Sequence, residues 1–184
     1  AEVDNWRWSG VPFLLRHGKR MKKKFTEVQV QFRNPPVQLF NRPDGLTDAE
    51  YRRKLKNGEL CQMRPNVLTI SIQPHEGLSL SFGVKRPGGA MEMTPAKLTF
   101  AYEDHFEQTS APAYQRLLQD ALIGDPTLFL RSDEIDASWR YTDEVINGWS
   151  AEGAPPLLEY PAGSWGPEEA DDLFDGCEGG WSRG

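Results

Sequence analysis

Cysteine and histidine are scarce in these 184 residues, and that scarcity removes whole classes of chemistry. Cys61 and Cys177 are far apart, and neither has a second Cys or His at ligand spacing. Neither a metal site nor a disulfide framework is therefore expected, and a reducing, cytoplasmic setting fits best. The three histidines, His17, His75 and His105, lack a Ser, Cys or carboxylate partner at a recognisable catalytic spacing. Surface or structural roles are expected for them, and no catalytic base is assigned. No apolar run approaches the roughly 20 residues that a bilayer span requires. The chain opens Ala1-Glu2-Val3-Asp4-Asn5-Trp6-Arg7-Trp8, with no Met, no basic region and no apolar leader, so it reads as a chain cut from something longer, without a signal peptide. No Gly-x-Gly-x-x-Gly turn follows a strand and no Walker loop occurs, so no cofactor-binding residue is assigned; Pro87-Gly88-Gly89 reads as an ordinary turn.

What is present describes an ordinary globular chain. Hydrophobic residues make up 38% and aromatics 11%, with a mean hydropathy of -0.61, values that suit one soluble domain around one core. A net charge of -6 and a pI near 5.2 argue against nucleic acid as a partner, since such domains usually have a pI above about 9. The charge is unevenly placed. Arg16, Lys19, Arg20, Lys22, Lys23 and Lys24 put six cations into nine residues, and without them the net charge would be -12.

The periodicities predict strands first and helices afterwards. Thr26 to Phe32 alternates, with Val28, Val30 and Phe32 opposite Gln29 and Gln31. Leu68, Ile70 and Ile72 repeat the pattern; Pro74 to Gly77 then turn the chain into Leu78, Leu80, Phe82 and Val84, an antiparallel hairpin. A further strand is expected over Lys97 to Tyr102. Tyr114, Leu117, Leu118, Ala121 and Leu122 fall at helical spacing, with Gly124 at the C-terminal cap. Ile135, Trp139, Thr142, Ile146 and Trp149 form a second helical stripe behind Ser132 as N-cap, with Asp133 and Glu134 in the first turn. Thr47 and Glu50 make a capping box for a short helix between Gly45 and Gly58, with Leu46 stapled to Tyr51. A last short helix is expected near Pro167 to Asp175, and a Gly-rich tail, 176–184, is expected to fray. Absent βαβ alternation, the fold class is α+β, a large and mostly antiparallel sheet with helices packed on one face.

The basic loop from Arg16 to Lys24 is the strongest chemical signal. It lies between the apolar stretch Val11 to Leu15 and the first strand, so its cations are anchored at a rigid edge. Ammonium groups there can hold a dianionic phosphate through charge-assisted hydrogen bonds, and Gly18 would permit a tight turn toward the ligand. The alternative is a solvated run of charge, which most such runs are. The six tryptophans are read as core and edge packing rather than as a stacking platform.

Seven blocks give the chain a family resemblance. They are Asn5-Trp6-Arg7-Trp8 with Gly10-Val11-Pro12-Phe13; Arg16 with Gly18-Lys19-Arg20; Thr26-Glu27; Asn66-Val67-Leu68 with Ile72-Gln73-Pro74 and Glu76-Gly77; Ala113-Tyr114-Gln115-Arg116-Leu117-Leu118; Phe129-Leu130-Arg131-Ser132-Asp133-Glu134; and Tyr160 to Asp171. Together, and in this order, they resemble the C-terminal part of glucose-6-phosphate dehydrogenase over nearly the whole chain. The resemblance implies oxidation of glucose 6-phosphate to 6-phosphogluconolactone with NADP, in the oxidative pentose phosphate pathway. It implies a large antiparallel sheet that forms the subunit interface of a homodimer or homotetramer. It implies that Lys19 and Lys24 contact the sugar phosphate and that Gln73 lines the same site. The family's nucleotide-binding domain and its Arg-Ile-Asp-His-Tyr-Leu-Gly-Lys-Glu segment have no counterpart in this sequence, so the chain by itself is expected to be inactive. The positions matching a second, structural NADP site of some eukaryotic members are Phe25, Ser79, Ser81 and Trp165, and no such site is expected here. The helix between Gly45 and Gly58 reads as an insertion relative to the family. A non-catalytic binding or assembly module of the same fold is the competing reading.

Overall fold

The computed structural model describes residues 1–33, 46–56, 65–88, 93–106, 113–174 and 180–183. It divides into two compact units, one formed by Ala1–His105 with Glu159–Gly184 and the other by Phe106–Leu158.

The first unit is built on four strands in the order β1-β2-β3-β4, each antiparallel to its neighbour: β1 Thr26–Gln31, β2 Val67–Gln73, β3 Gly77–Lys85 and β4 Met93–Ala101. Alternation fixes their register. Val28, Ile70, Leu78 and Phe100 lie opposite one another across all four strands, as do Val30, Leu68, Leu80 and Leu98, so these two rows form one apolar face. The intervening rows, Gln29-Thr69-Ser79-Thr99 and Gln31-Val67-Ser81-Lys97, form a mostly polar second face. A slip of one residue would exchange the two faces, which is why the pattern specifies the pairing so strongly. The register shifts once, between Thr26 and Glu27, where the partners pass from Gln73 to Ser71.

The apolar face is not a buried core. Among the described residues no hydrophobic side chain is buried, and Val30, Leu78 and Leu98 are 38%, 42% and 62% exposed. The expected core is therefore not seen among the described residues. Of the six tryptophans, Trp6, Trp139 and Trp149 are well exposed, whereas Trp8, Trp165 and Trp181 pack edge-on against Phe13, Phe25 and Phe174.

Helix α1, Asp48–Lys56, begins with the expected capping box. The Thr47 amide donates to Glu50 Oε2 at 2.9 Å and the Glu50 amide donates to Thr47 Oγ1 at 3.3 Å. Its expected close at Gly58 lies outside the described residues, as do Cys61 and Cys177. The expected helix near 167–175 is a 3-10 helix over Glu168–Leu173.

The second unit holds α2, Ala113–Ile123, and α3, Ser132–Trp149. Gly124 ends α2 with a φ of 75°, in the left-handed region that favours glycine. Asp120 is the one fully buried side chain among the described residues, and Arg116, a turn earlier, donates to it from Nε at 3.1 Å. A tight turn follows, in which the Thr127 hydroxyl and amide both donate to Asp125 Oδ1, at 2.5 and 3.0 Å, and hold that carboxyl below its usual range. The cap of α3 differs from the expectation. Ser132 is the first helical residue and Arg131, extended at φ -79° and ψ 157°, holds the cap position. An arginine side chain has no acceptor to offer, so the helix start is tied instead by Glu134, whose carboxylate accepts from the Arg131 amide at 2.9 Å.

Candidate functional site

The basic loop runs into β1, and β1 is paired with β2, so Lys24 and Gln73 come to the same end of the sheet. The register shift decides which β2 residue stands there. Gln73, rather than Ile72, faces Thr26, and its Nε2 donates to Thr26 Oγ1 at 2.7 Å. Irregularities of this kind re-aim single side chains at the margin of a sheet. Lys24 lies two residues before Thr26, and it is exposed with no side-chain partner among the described residues.

Lys19 sits earlier in the loop, which is held by its main chain. The Tyr160 hydroxyl donates to Lys19 O at 2.9 Å. The Gly163 amide donates to Arg20 O at 2.8 Å, and the Lys22 amide donates to Ser164 O at 2.9 Å. Residues 19–22 are thus laced to residues 160–164. Arg20 takes a φ of 54°, an uncommon conformation for a side-chain-bearing residue that persists where surroundings enforce it. The turn was expected at Gly18, but Gly18 serves a different end. A Cβ there would lie 2.7 Å from the Tyr160 hydroxyl, so the glycine makes room for that contact.

The six cations are not equivalent. Arg16 donates from Nη1 to Trp165 O at 3.3 Å and from Nη2 to Ser182 O at 2.8 Å. Its guanidinium also lies 4.8 Å from the Trp181 ring and 5.9 Å from the Trp165 ring. Burial lowers its pKa, opposed by the nearby Asp171 and Glu27 carboxylates. Trp181 is fixed in turn by donating from Nε1 to Ala170 O at 2.8 Å and by an edge contact with Phe174. Residues 180–183 are therefore docked on the 3-10 helix and on Arg16 rather than frayed; residues 176–179 and 184 lie outside the described residues. Lys22 places its ammonium 5.9 Å from the Trp165 ring. Lys19, Arg20 and Lys24 are exposed with no side-chain partner among the described residues. Arg16 thus serves the fold, whereas Lys19, Arg20 and Lys24 are available to a ligand.

Arg16, Ser164, Trp165, Gly166, Pro167, Glu168, Asp171 and Arg183 line a cavity of about 380 Å³ beside the loop. His105 stacks on Phe100 with centroids 4.6 Å apart, and His75 Nδ1 lies 3.4 Å from Glu103 Oε2 at the exposed hairpin end. Among the described residues no group of three or more His, Cys, Asp or Glu could hold a metal ion, and no helix is long and apolar enough to cross a membrane.

Sequence reasoning named Lys19, Lys24 and Gln73 but assigned nothing to Tyr160, Gly163 or Ser164. The signal was present, since the segment from Tyr160 to Asp171 is one of the seven blocks, yet a main-chain clamp leaves no signature in residue type.

These features define an α+β domain that presents a clamped basic loop and a glutamine at one end of an antiparallel sheet. The family model described as glucose-6-phosphate dehydrogenase, C-terminal domain, matches residues 1–182. The chain is 39% identical over 179 residues to glucose-6-phosphate 1-dehydrogenase of Treponema pallidum, covering 97% of this chain and 32% of that protein. It is 38% identical over 184 residues to the enzyme of Mycolicibacterium smegmatis, covering 100% and 34%. A solved glucose-6-phosphate dehydrogenase in complex with its substrate glucose-6-phosphate matches with a TM-score of 0.73 at 30% identity, covering 99% of this chain and 34% of that one. The chain belongs to the glucose-6-phosphate dehydrogenase C-terminal domain family. It spans about a third of the length of the curated relatives it matches.

Proposed function

We propose that this chain supplies the sugar-phosphate site and the subunit interface of a glucose-6-phosphate 1-dehydrogenase, which oxidises glucose 6-phosphate to 6-phosphogluconolactone with NADP in the oxidative pentose phosphate pathway of the cytoplasm. Lys19 and Lys24 bind the phosphate and Gln73 lines the same site. The observation that supports this is the division of labour in the basic loop: Lys19 and Lys24 are exposed with no side-chain partner among the described residues, and the main chain of residues 19–22 is held by hydrogen bonds. Gln73 stands at the end of the sheet where Lys24 enters it. An exposed, flexible charge run has no need of such a scaffold. Binding the phosphate away from the reacting carbon lets its binding energy orient the sugar for hydride transfer.

We assign no NADP-binding residue to this chain. The sheet is wholly antiparallel among the described residues, and no glycine-rich turn joins a strand to a helix. The cofactor would be held by a nucleotide-binding domain other than this one, and no catalytic residue is assigned here. The half-exposed apolar face of the sheet supports the interface, because a face of that character is normally covered by another layer. A homodimer or homotetramer through the sheet supplies it. Residues 1–184 thus act as part of the substrate-binding and oligomerisation domain.

Calorimetry of the isolated chain with glucose 6-phosphate, beside a spectrophotometric assay for NADP reduction, tests this. Binding of the sugar phosphate without turnover is expected. Turnover by the isolated chain, or an unchanged KM for glucose 6-phosphate in the full-length protein when Lys19 and Lys24 are both changed to alanine, would sink it.

A further inference from the structure

We propose that Tyr160 is the positioning residue of the phosphate loop, setting through its hydroxyl where Lys19 presents its ammonium group; the inference rests on the phosphate-site reading above. Lys19 has no side-chain partner among the described residues, so the place of its charge is decided by its main chain. That main chain is gripped at Lys19 O by the Tyr160 hydroxyl, at 2.9 Å. The bond joins residues 141 positions apart in the sequence, and the two neighbouring bonds, Gly163 to Arg20 and Lys22 to Ser164, tie the same two segments together.

Three further observations single out the tyrosine. Gly18 leaves open the space its hydroxyl occupies, since a Cβ there would come within 2.7 Å of it. Arg20, one residue beyond Lys19, is held in the left-handed region at φ 54°, so the loop follows an enforced path between the two points where the segment 160–164 grips it. The other end of that segment is anchored by Arg16, which donates to Trp165 O. The hydroxyl therefore links the loop to a segment that Arg16 also holds, at Trp165 O. An ammonium group on a four-carbon stem gives a strong contact with phosphate only if its backbone is not free to drift.

The test is a double-mutant cycle in the full-length protein with Tyr160→Phe and Lys19→Ala. Phenylalanine keeps the ring and deletes the hydroxyl. The loss of one neutral hydrogen bond should raise KM for glucose 6-phosphate by about 2- to 13-fold, while kcat and KM for NADP stay unchanged. In the Lys19→Ala background, Tyr160→Phe should add nothing, because its effect passes through that lysine. Gly18→Ala, which displaces the hydroxyl from the opposite side, should reproduce the KM rise. If Lys19→Ala raises KM but Tyr160→Phe leaves it unchanged, or the two effects multiply in full, the positioning role is overturned and the phosphate site stands. If Lys19→Ala itself has no effect, both fall. A Tyr160→Phe protein whose kcat falls together with a lowered melting temperature would mark a structural role instead, and would likewise overturn the proposal.

Discussion

An alanine scan of the basic loop is expected to give an uneven profile, and the unevenness can be worked out from contacts. Lys19 and Lys24 have no side-chain partner among the described residues, so on the proposed assignment truncating either should weaken phosphate binding while leaving the fold intact. A charge-assisted hydrogen bond to phosphate contributes about 1.5 to 3 kcal/mol, so Lys19→Ala should raise KM for glucose 6-phosphate by roughly 10- to 150-fold. Lys24→Ala should act in the same direction but less, because Lys22 and Lys23 are adjacent in sequence. Arg16 makes the contrast. Its loss removes two hydrogen bonds to carbonyls and two aromatic contacts, so Arg16→Ala should lower the melting temperature and loosen residues 180–183. The assay is steady-state kinetics of the full-length protein at two ionic strengths, with KM for both substrates and a thermal melt for each variant. A solvated charge run predicts that every cation responds weakly and alike, with effects fading as salt rises. That flat profile would refute the assignment of Lys19 and Lys24. A KM for NADP that moved in step with KM for the sugar phosphate would also contradict it.

Two further outcomes follow from the sheet and from α1. Replacing Leu98, 62% exposed on the apolar face, by aspartate should shift the full-length protein toward monomer in light scattering, since a charge buried in a sheet-mediated interface is left unpaired; an unchanged mass would remove this face from the interface. The Thr47 hydroxyl and amide hold the Glu50 carboxyl below its usual range, so the contribution of Glu50 to α1 is fully present above the ordinary glutamate pKa and is lost as pH falls through the lowered folded value. Amide protection factors in α1, taken relative to the intrinsic exchange rate at each pH, should fall over that acidic window in the wild type and fall less in Thr47→Ala; the same profile in both proteins would contradict the linkage.

The sheet was readable in the sequence because alternation and turn chemistry act locally. Val28 and Val30, Leu68 and Ile70, Leu78 and Leu80 each announce a face within a few residues, and Pro74 to Gly77 separate two such runs. Capping at Thr47 and termination at Gly124 were legible for the same reason. The α3 start was missed by one residue, since Ser132 is the conventional cap type, while the bond that fixes the terminus comes from Glu134 back to the Arg131 amide. The lack of a buried apolar core among the described residues is a different kind of failure. Alternation shows that a face is apolar, but not which surface covers it, and no local rule distinguishes a face turned inward from one offered to a partner.

The site divides along the same line. Residue type alone marked the loop as basic, and the family resemblance selected Lys19 and Lys24 from it and added Gln73 from β2. Neither could separate Arg16 from its neighbours, because an arginine that stacks on Trp181 and bonds Ser182 O reads the same in sequence as one facing a ligand. Nor could spacing find Tyr160, whose partner at Lys19 is a carbonyl that every residue possesses. A ligand site of this type consists of the charges that recognise the phosphate and the main-chain bonds that hold those charges still. The first part is written in side chains and can be read from sequence. The second lies in contacts between distant backbone segments. Substitutions in the segment 160–164 should therefore affect substrate affinity without any of those residues touching the substrate.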